Sequence, residues 1–248
     1  MRRVSKRTAK LPSLYFAYNL SWDAANWVQS IRKMDDREID WGIKTLIKMA
    51  PSLVEAIQKA ASNQGALNLA KRRLRASRKG AYPIQRDAAK VVRKMQAEWK
   101  RFAPKFWPRL GKILAIPVSD MHKKYLAHYT TAVRCPFDRE NWAFMYSRFW
   151  SLANTAAHEI MHMEYWDKYE AQIKKFGLTP IRQWDLQEAL TVLLNEEMLD
   201  ILPHPEQGYR GHEQLRKKIV QLWRQTKGDF KELLPQAAEA TRKCFPKE

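Results

Sequence analysis

Two histidines and a glutamate form the pattern H-E-x-x-H, with His158, Glu159 and His162 at its fixed positions. On an α-helix, residues four positions apart lie on one face, about one turn from each other. Two imidazoles on that face converge on a point beside the helix and can supply two ligands of a tetrahedral zinc ion. Glu159 follows the first histidine directly, where its carboxylate can accept a proton from a water near the metal. The pattern therefore predicts a hydrolytic zinc site.

The residues around the pattern decide between this site and its alternative, an exposed helix with two surface histidines. They are mostly apolar on every side of a helix, which is typical of a buried helix. They are Leu152, Ala153, Ala156, Ala157, Ile160, Met161, Met163, Tyr165 and Trp166. Buried imidazole and carboxylate groups need partners, and a metal ion supplies them.

The segment from His158 to His162 resembles the active-site helix of the zincin metallopeptidases. The resemblance covers roughly residues 110–212 and implies Zn²⁺ as cofactor, with a protein or peptide as substrate. It implies that a metal-activated water hydrolyses the peptide bond, with Glu159 as general base. It also implies a small β-sheet before the active-site helix, whose last strand is an edge strand that binds substrate by strand addition. A zinc hydrolase acting on a non-peptide bond is an alternative.

A catalytic zinc ion takes three protein ligands, so the chain must supply one more. The gluzincin branch of the zincins takes a glutamate from a second helix downstream, and Glu188 fits best because it is acidic within an otherwise apolar helix. Glu196 is the rival. The residues Asn195-Glu196-x-x-x-Asp200 match the N-E-x-x-x-D pattern of one gluzincin branch, in which the aspartate orients a zinc-binding histidine.

A histidine is another possible third ligand. The metzincin form of the motif is excluded, because no glycine or histidine stands at its later positions. The DNA–protein-crosslink proteases of the SprT type use a third histidine, which would here be His204 or His212. Gluzincins also use a downstream Tyr, His or Arg to stabilise the developing oxyanion. The candidates are Tyr209, Arg210 and His212, of which we assign Tyr209 and His212 to catalysis; an ordinary surface loop is the alternative.

The formal net charge is +19, and its distribution divides the chain. Residues 1–125 hold 28 Lys and Arg against 9 Asp and Glu, whereas residues 126–248 hold 17 of each. We therefore predict a basic helical region at 1–110 and a zincin-like metallopeptidase domain at 111–248. Six of the nine residues at 71–79 are basic, which indicates either a solvated helix end or a contact with nucleic acid or another polyanion.

A second function follows from the same asymmetry. The protein would bind nucleic acid or an anionic surface through residues 1–125, with the zinc fold as a scaffold or as a tethered SprT-like protease. Two cysteines, Cys135 and Cys244, exclude a disulfide framework and a cysteine zinc cluster. We find neither a signal peptide nor an apolar run of transmembrane length, so a cytoplasmic protein is expected.

Together these features predict an α+β fold that is mostly helical, in which a basic helical region precedes a small mixed sheet and the active-site helix. We predict a helix capped by Ser21 and further helices over residues 38–49, 53–61, 84–102, 152–175, 184–199, 213–223 and 230–240. The strands are predicted at 112–118, 125–133 and 142–147. Pro104 is expected to end one helix and Gly177 another.

Overall fold

The computed structural model describes residues 11–32, 42–76 and 84–245. It is mostly helical and has one small mixed sheet of four strands, which confirms the predicted α+β class. The strands are β1 (Ser13–Tyr18), β2 (Lys124–Thr130), β3 (Phe137–Asp138) and β4 (Ala143–Ser147). The helices are α1 (Leu20–Arg32), α2 (Ile43–Met49), α3 (Pro51–Lys59), α4 (Asn63–Ala76), α5 (Ile84–Leu114), α6 (Leu152–Lys175), α7 (Pro180–Leu190), α8 (Leu193–Met198), α9 (Glu213–Gln225) and α10 (Phe230–Cys244).

The described chain divides into two compact units. The sheet unit comprises the described residues of 14–100 and 126–156, and the histidine unit comprises 11–13, 101–125 and 157–245. The chain crosses between them at four points, which fall inside β1, α5, β2 and α6. The boundary predicted at residue 110 lies within α5, ten residues after the crossing at Lys100.

The order of the strands is β1-β2-β4-β3. β2 and β4 are parallel, with Leu126 opposite Ala143, and β3 is antiparallel to β4, with Phe137 opposite Phe144. The strands predicted at 125–133 and 142–147 are thus present as β2 and β4. However, β4 is buried along its length and lies between two strands, so it is not the edge strand that the resemblance implied. β3 has only two residues, which is too short for a sequence pattern to reveal.

Helices α1–α4 form the apolar core of the sheet unit. Their small and aliphatic side chains pack around Trp27, which is completely buried. α1 begins one residue before the predicted cap, because Asn19 rather than Ser21 is the capping residue. The Oδ1 atom of Asn19 accepts hydrogen bonds from the backbone N–H groups of Ser21 and Trp22, at 2.9 and 3.3 Å.

A buried carboxylate joins α1 to the end of β2. Asp23 has no exposed surface and accepts four hydrogen bonds. The donors are the hydroxyl of Thr130 at 2.7 Å, the N–H and hydroxyl of Thr131 at 2.9 Å each, and the hydroxyl of Tyr18 at 3.2 Å. Because a buried acceptor without donors is strongly destabilising, this network fixes where α1 lies in the sheet unit.

Helix α5 does not end at Pro104 as predicted but continues to Leu114. Pro104 and Pro108 are both exposed, whereas the apolar residues between and after them are completely buried. These buried residues are Phe106, Trp107, Leu110, Ile113 and Leu114. Their burial outweighs the hydrogen bonds that the prolines remove. The strand predicted at 112–118 is therefore wrong: Ile113 and Leu114 end a buried helix, and the residues after them lead into a short 3-10 turn at Val118–Asp120. A short apolar run does not distinguish a strand from a buried helix end.

The histidine unit contains most of α6 and all of α7–α10. α6 has the predicted bounds, and Gly177 follows it with a φ of 65°, the left-handed conformation that favours glycine after a helix. α9 and α10 occupy the two predicted C-terminal segments. The helix predicted at 184–199 is instead two helices, α7 and α8, which are separated at Thr191 and Val192. Among the described residues, no helix is both long and apolar enough to cross a membrane.

Replacing Asp23 by alanine tests the network that joins α1 to β2. We expect the free energy of unfolding to fall by about 3–5 kcal/mol, because buried donors on Thr130 and Thr131 lose their acceptor. Chemical denaturation followed by circular dichroism measures this change. Glu140→Ala is the control, since Glu140 is exposed. Equal stabilities of the two variants would show that the network does not stabilise the fold.

Candidate metal centre

The two histidines of the motif project from the buried part of α6. Ala157, Ile160 and Met161 are at most 1% exposed, so the helix is enclosed by apolar packing at this point. The Nε2 atoms of His158 and His162 lie 2.8 Å apart, and their ring planes are inclined at 81°. His162 is 1% exposed. The helix thus brings two imidazole nitrogens together in a buried setting, as the spacing predicts.

Glu188, at the end of α7, adds a carboxylate oxygen to this pair. Its Oε2 atom lies 3.4 Å from the Nε2 atom of His158 and 3.4 Å from that of His162. This oxygen is buried and accepts no well-formed hydrogen bond from the described residues. Ligand atoms around a tetrahedral zinc ion, with bonds of about 2.0–2.1 Å, are separated by about 3.4 Å. Two sides of the triangle formed by the three atoms have this length, and the third, between the two histidine nitrogens, is shorter at 2.8 Å.

The break between α7 and α8 sets where the carboxylate of Glu188 lies. The hydroxyl of Thr191 donates to the backbone carbonyl of Glu188 at 2.7 Å, and it accepts a hydrogen bond from Arg216 at 2.9 Å. Arg216 on α9 is itself 6% exposed. The side chain of Thr191 thus satisfies a carbonyl near the end of α7. This contact also ties the segment that carries Glu188 to α9.

Glu159 lies beside the triangle and is 7% exposed. A carboxylate oxygen of Glu159 and one ring nitrogen from each of His158 and His162 lie within 4.8 Å of one another. At this distance the carboxylate can exchange a proton with a water that is held near the two histidines.

A second carboxylate, from Glu206, approaches the other side of His158. Its Oε1 atom lies 3.4 Å from the Nδ1 atom of His158. The sequence interpretation missed Glu206 because it lies in a loop between α8 and α9, where no periodicity gives the direction of a side chain. An acidic residue in a proline-containing loop is ordinary, so the local sequence carries no signal for this contact.

The four charged groups shift one another's pKa values. Burial lowers the pKa of His158, but the carboxylates of Glu206 and Glu188 outweigh it and hold that pKa well above its usual value. Burial also lowers the pKa of His162, and the neighbouring charge of His158 adds to this effect. The two histidines likewise outweigh burial and lower the pKa of Glu188. The charge of one imidazolium, that of His158, therefore compensates the two carboxylates on either side of it.

The rival third ligand, Glu196, lies in a different setting. Its carboxylate pairs with Arg224, at 3.0 and 3.2 Å. Asp200, the aspartate of the same rival pattern, forms a bidentate pair with Arg109. Asn195 does not approach a histidine either: its side chain binds both backbone polar groups of Glu206, at 2.6 and 2.8 Å. The structure thus gives other partners to all three residues of this pattern.

The predicted catalytic residues Tyr209 and His212 lie at the start of α9. The Nε2 atom of His212 lies 2.9 Å from a carboxylate oxygen of Asp185, whose other oxygen accepts a hydrogen bond from Arg182 at 2.9 Å. Burial raises the pKa of Asp185, but His212 and Arg182 outweigh it and lower that pKa. The ring of Tyr209 is 5.7 Å from that of His212. Asp185 precedes Glu188 by one turn of α7, so His212 is held beside the helix that carries Glu188.

The two other candidates from the sequence differ in burial from His212. His204 and Arg210 are exposed, whereas His212 is 4% exposed. As a candidate third ligand, His212 differs from Glu188 in its partner, because its ring contacts the carboxylate of Asp185. The carboxylate of Glu188 is the group that lies within 3.4 Å of both motif histidines.

Comparison of the chain with models of known protein families found no match, and comparisons with curated proteins and with solved structures found none either. The function must therefore be argued from the chemistry of these residues.

Glu188 and Glu196 can be distinguished by their effects on metal binding. We expect Glu188→Ala to weaken zinc binding by more than about 100-fold, because one ligand of three is lost. Glu196→Ala should bind zinc like the wild type, because Glu196 pairs with Arg224. Metal content by mass spectrometry and competition with a chromophoric chelator measure both. If Glu196→Ala loses zinc while Glu188→Ala keeps it, the assignment is reversed.

Proposed function

We propose that this protein is a zinc-dependent metallopeptidase, with His158, His162 and Glu188 as the metal ligands. One observation carries the proposal: the Oε2 atom of Glu188 is buried without a well-formed hydrogen bond from the described residues, 3.4 Å from both histidine nitrogens. Buried carboxylate oxygens normally accept hydrogen bonds or bind cations. Two nitrogens and one oxygen are a donor set that suits catalytic zinc, which takes three protein ligands and a water.

The charges of the site also fit a divalent cation. Without a metal, the raised pKa of His158 keeps a positive charge between Glu188 and Glu206. With zinc bound, His158 would be a neutral ligand, and the charge of the metal would compensate both carboxylates. When bound, zinc supplies Lewis-acid chemistry: it makes water a nucleophile at neutral pH and polarises a carbonyl oxygen.

Glu159 is the general base in this proposal. Its carboxylate lies within 4.8 Å of a nitrogen of each histidine, which is within reach of a water that attacks a peptide carbonyl. It accepts a proton from that water and passes it to the amine that leaves. A side chain that is 7% exposed has few competing waters, so the proton is retained for the leaving group.

His212 is the first candidate donor for the oxyanion that develops on the peptide carbonyl. Asp185, one turn before Glu188 on α7, holds its Nε2 atom, and its Nδ1 atom is buried without a hydrogen-bond partner among the described residues. Tyr209, whose ring packs near that of His212, is the second candidate from the same segment.

Replacing Glu159 by glutamine tests the peptidase mechanism. We expect Glu159→Gln to retain zinc and to lower the rate of peptide hydrolysis by about 10²–10⁴-fold, because the amide cannot accept the proton. The assay is mass spectrometry of a peptide library and of casein. Removal of zinc by a chelator, followed by its return, should abolish and restore the wild-type activity. Full activity of Glu159→Gln would refute the mechanism.

A second function, binding of nucleic acid through the basic half, is favoured by α4. Arg72, Arg73 and Arg75 are exposed near its C-terminal end, and Lys71 is partly exposed. No acidic side chain among the described residues forms an ion pair with these four cations. The opposite face of α4 packs against α1 and α3 through Ala66, Ala70 and Leu74, so the basic face is held outward on a fixed element. Such a face suits a phosphate backbone.

Neutralising this face tests nucleic-acid binding. We expect wild-type binding to a fluorescent 30-nucleotide DNA to weaken strongly between 50 and 200 mM salt, by about 10-fold or more for a few phosphate contacts. A triple substitution of Arg72, Arg73 and Arg75 by glutamine should weaken binding and reduce this salt dependence. The matched control replaces three exposed lysines of the histidine unit, Lys217, Lys218 and Lys231. Equal weakening by both triple variants would argue against a site on α4.

A further inference from the structure

We infer that Glu206 is a positioning residue that holds His158 in the orientation and tautomer that bind the metal; this inference rests on the proposed metal site. The two ring nitrogens of His158 face different groups. Nε2 lies 2.8 Å from His162 and 3.4 Å from Glu188, and Nδ1 lies 3.4 Å from the Oε1 atom of Glu206. An imidazole that binds a metal through Nε2 carries its proton on Nδ1, and that N–H group needs an acceptor.

The backbone of Glu206 is fixed from several directions. The side chain of Asn195 accepts from its N–H at 2.6 Å and donates to its carbonyl at 2.8 Å. Arg216 donates to the same carbonyl at 2.7 Å. These three hydrogen bonds restrain both backbone groups of a loop residue.

The carboxylate of Glu206 is held as well. The backbone N–H of Gly208 donates to its Oε1 atom at 3.2 Å. Gly208 has a φ of 67°, and a Cβ atom at this position would lie 2.6 Å from the guanidinium of Arg216. Only glycine fits here without strain, because the left-handed backbone and the close arginine both exclude a side chain. The turn therefore brings a donor to the carboxylate oxygen that faces His158.

Glu206 also completes the balance of charge. Arg216 is 6% exposed, and Glu159 and Glu188 are 7% and 6% exposed, so their charges cannot rely on water for compensation. A zinc ion and Arg216 together carry the same amount of charge, with opposite sign, as the carboxylates of Glu159, Glu188 and Glu206. Loss of this carboxylate would leave an excess positive charge when the metal is bound, so Glu206→Gln should also lose some affinity, though less than Glu206→Ala.

The test compares the zinc affinity of the wild type with those of three variants of Glu206. Glu206→Ala should bind zinc about 10–100-fold more weakly, which is the usual effect of removing such a partner of a metal-binding histidine. Glu206→Gln should lose less, because its amide oxygen still accepts from Nδ1. Glu206→Asp should resemble the alanine variant, because its charge is kept but its oxygen is drawn away from His158. Glu196→Ala, which breaks an ion pair with Arg224, is the control and should bind like the wild type.

Two further readouts separate positioning from folding. The absorption spectrum of the Co²⁺-substituted protein should change in Glu206→Ala and Glu206→Asp and stay near that of the wild type in Glu206→Gln. The melting temperature of each metal-free variant shows whether it folds. If Glu206→Ala does not fold, the zinc affinities of Glu206→Gln and Glu206→Asp still show whether an acceptor for the Nδ1 atom of His158 is required.

The outcomes distinguish this inference from the proposed function. A wild type that binds no zinc refutes the metal site itself. A wild type that binds zinc, with Glu206→Ala within twofold of it, refutes only the role of Glu206. If Glu206→Asp binds like the wild type and Glu206→Gln binds as weakly as Glu206→Ala, charge rather than the hydrogen bond to His158 is required, and the positioning role is overturned.

Discussion

The histidine unit depends on the compensation of charge in a buried place. His162, Glu159 and Glu188 are each at most 7% exposed, and they lie within a few ångströms of His158. Unpaired charges in such a setting would destabilise the fold, so every group must have a partner or lose its charge. The raised pKa of His158 and the lowered pKa of Glu188 are two signs of this constraint. A divalent cation satisfies the same constraint with stronger attraction and fixed geometry.

Several elements outside α6 bring charged or hydrogen-bonding groups to this buried place. The break at Thr191 separates Glu188, which lies near the histidines, from Glu196, which pairs with Arg224. Arg216 contacts both Thr191 and the backbone of Glu206, and so joins the two segments that supply carboxylates to His158. An arginine suits this place because its planar group can donate in two directions at once. The candidate site is therefore built from one regular helix, α6, and from the segments that carry Glu188 and Glu206. Side-chain hydrogen bonds hold these two segments in place.

The sequence predicted the regular part of this arrangement well. α6 has the predicted bounds because its apolar residues and Gly177 give clear signals, and Glu188 was recognised as an acidic residue in an apolar helix. The contacts that sequence could not reveal are those made by loops. Glu206 has no periodic neighbours, and its distance from His158 depends on Asn195 and Gly208, which a local pattern does not connect. The end of α5 differs from the prediction for another reason. Burial of Trp107 and its neighbours outweighs the effect of two prolines, which local rules treat as a helix end.

Burial and motif match point to different residues, Glu188 and Glu196, as the proposed third ligand. The sequence around Glu196 matches a longer pattern, with an asparagine before it and an aspartate four residues later. In the structure, however, Glu196 pairs with Arg224 and Asp200 pairs with Arg109. A motif gives no information about such partners. An arginine nearby makes an exposed acidic residue unremarkable. Glu188 instead lies buried within 3.4 Å of two histidine nitrogens, and this setting, rather than a motif match, makes it the proposed third ligand.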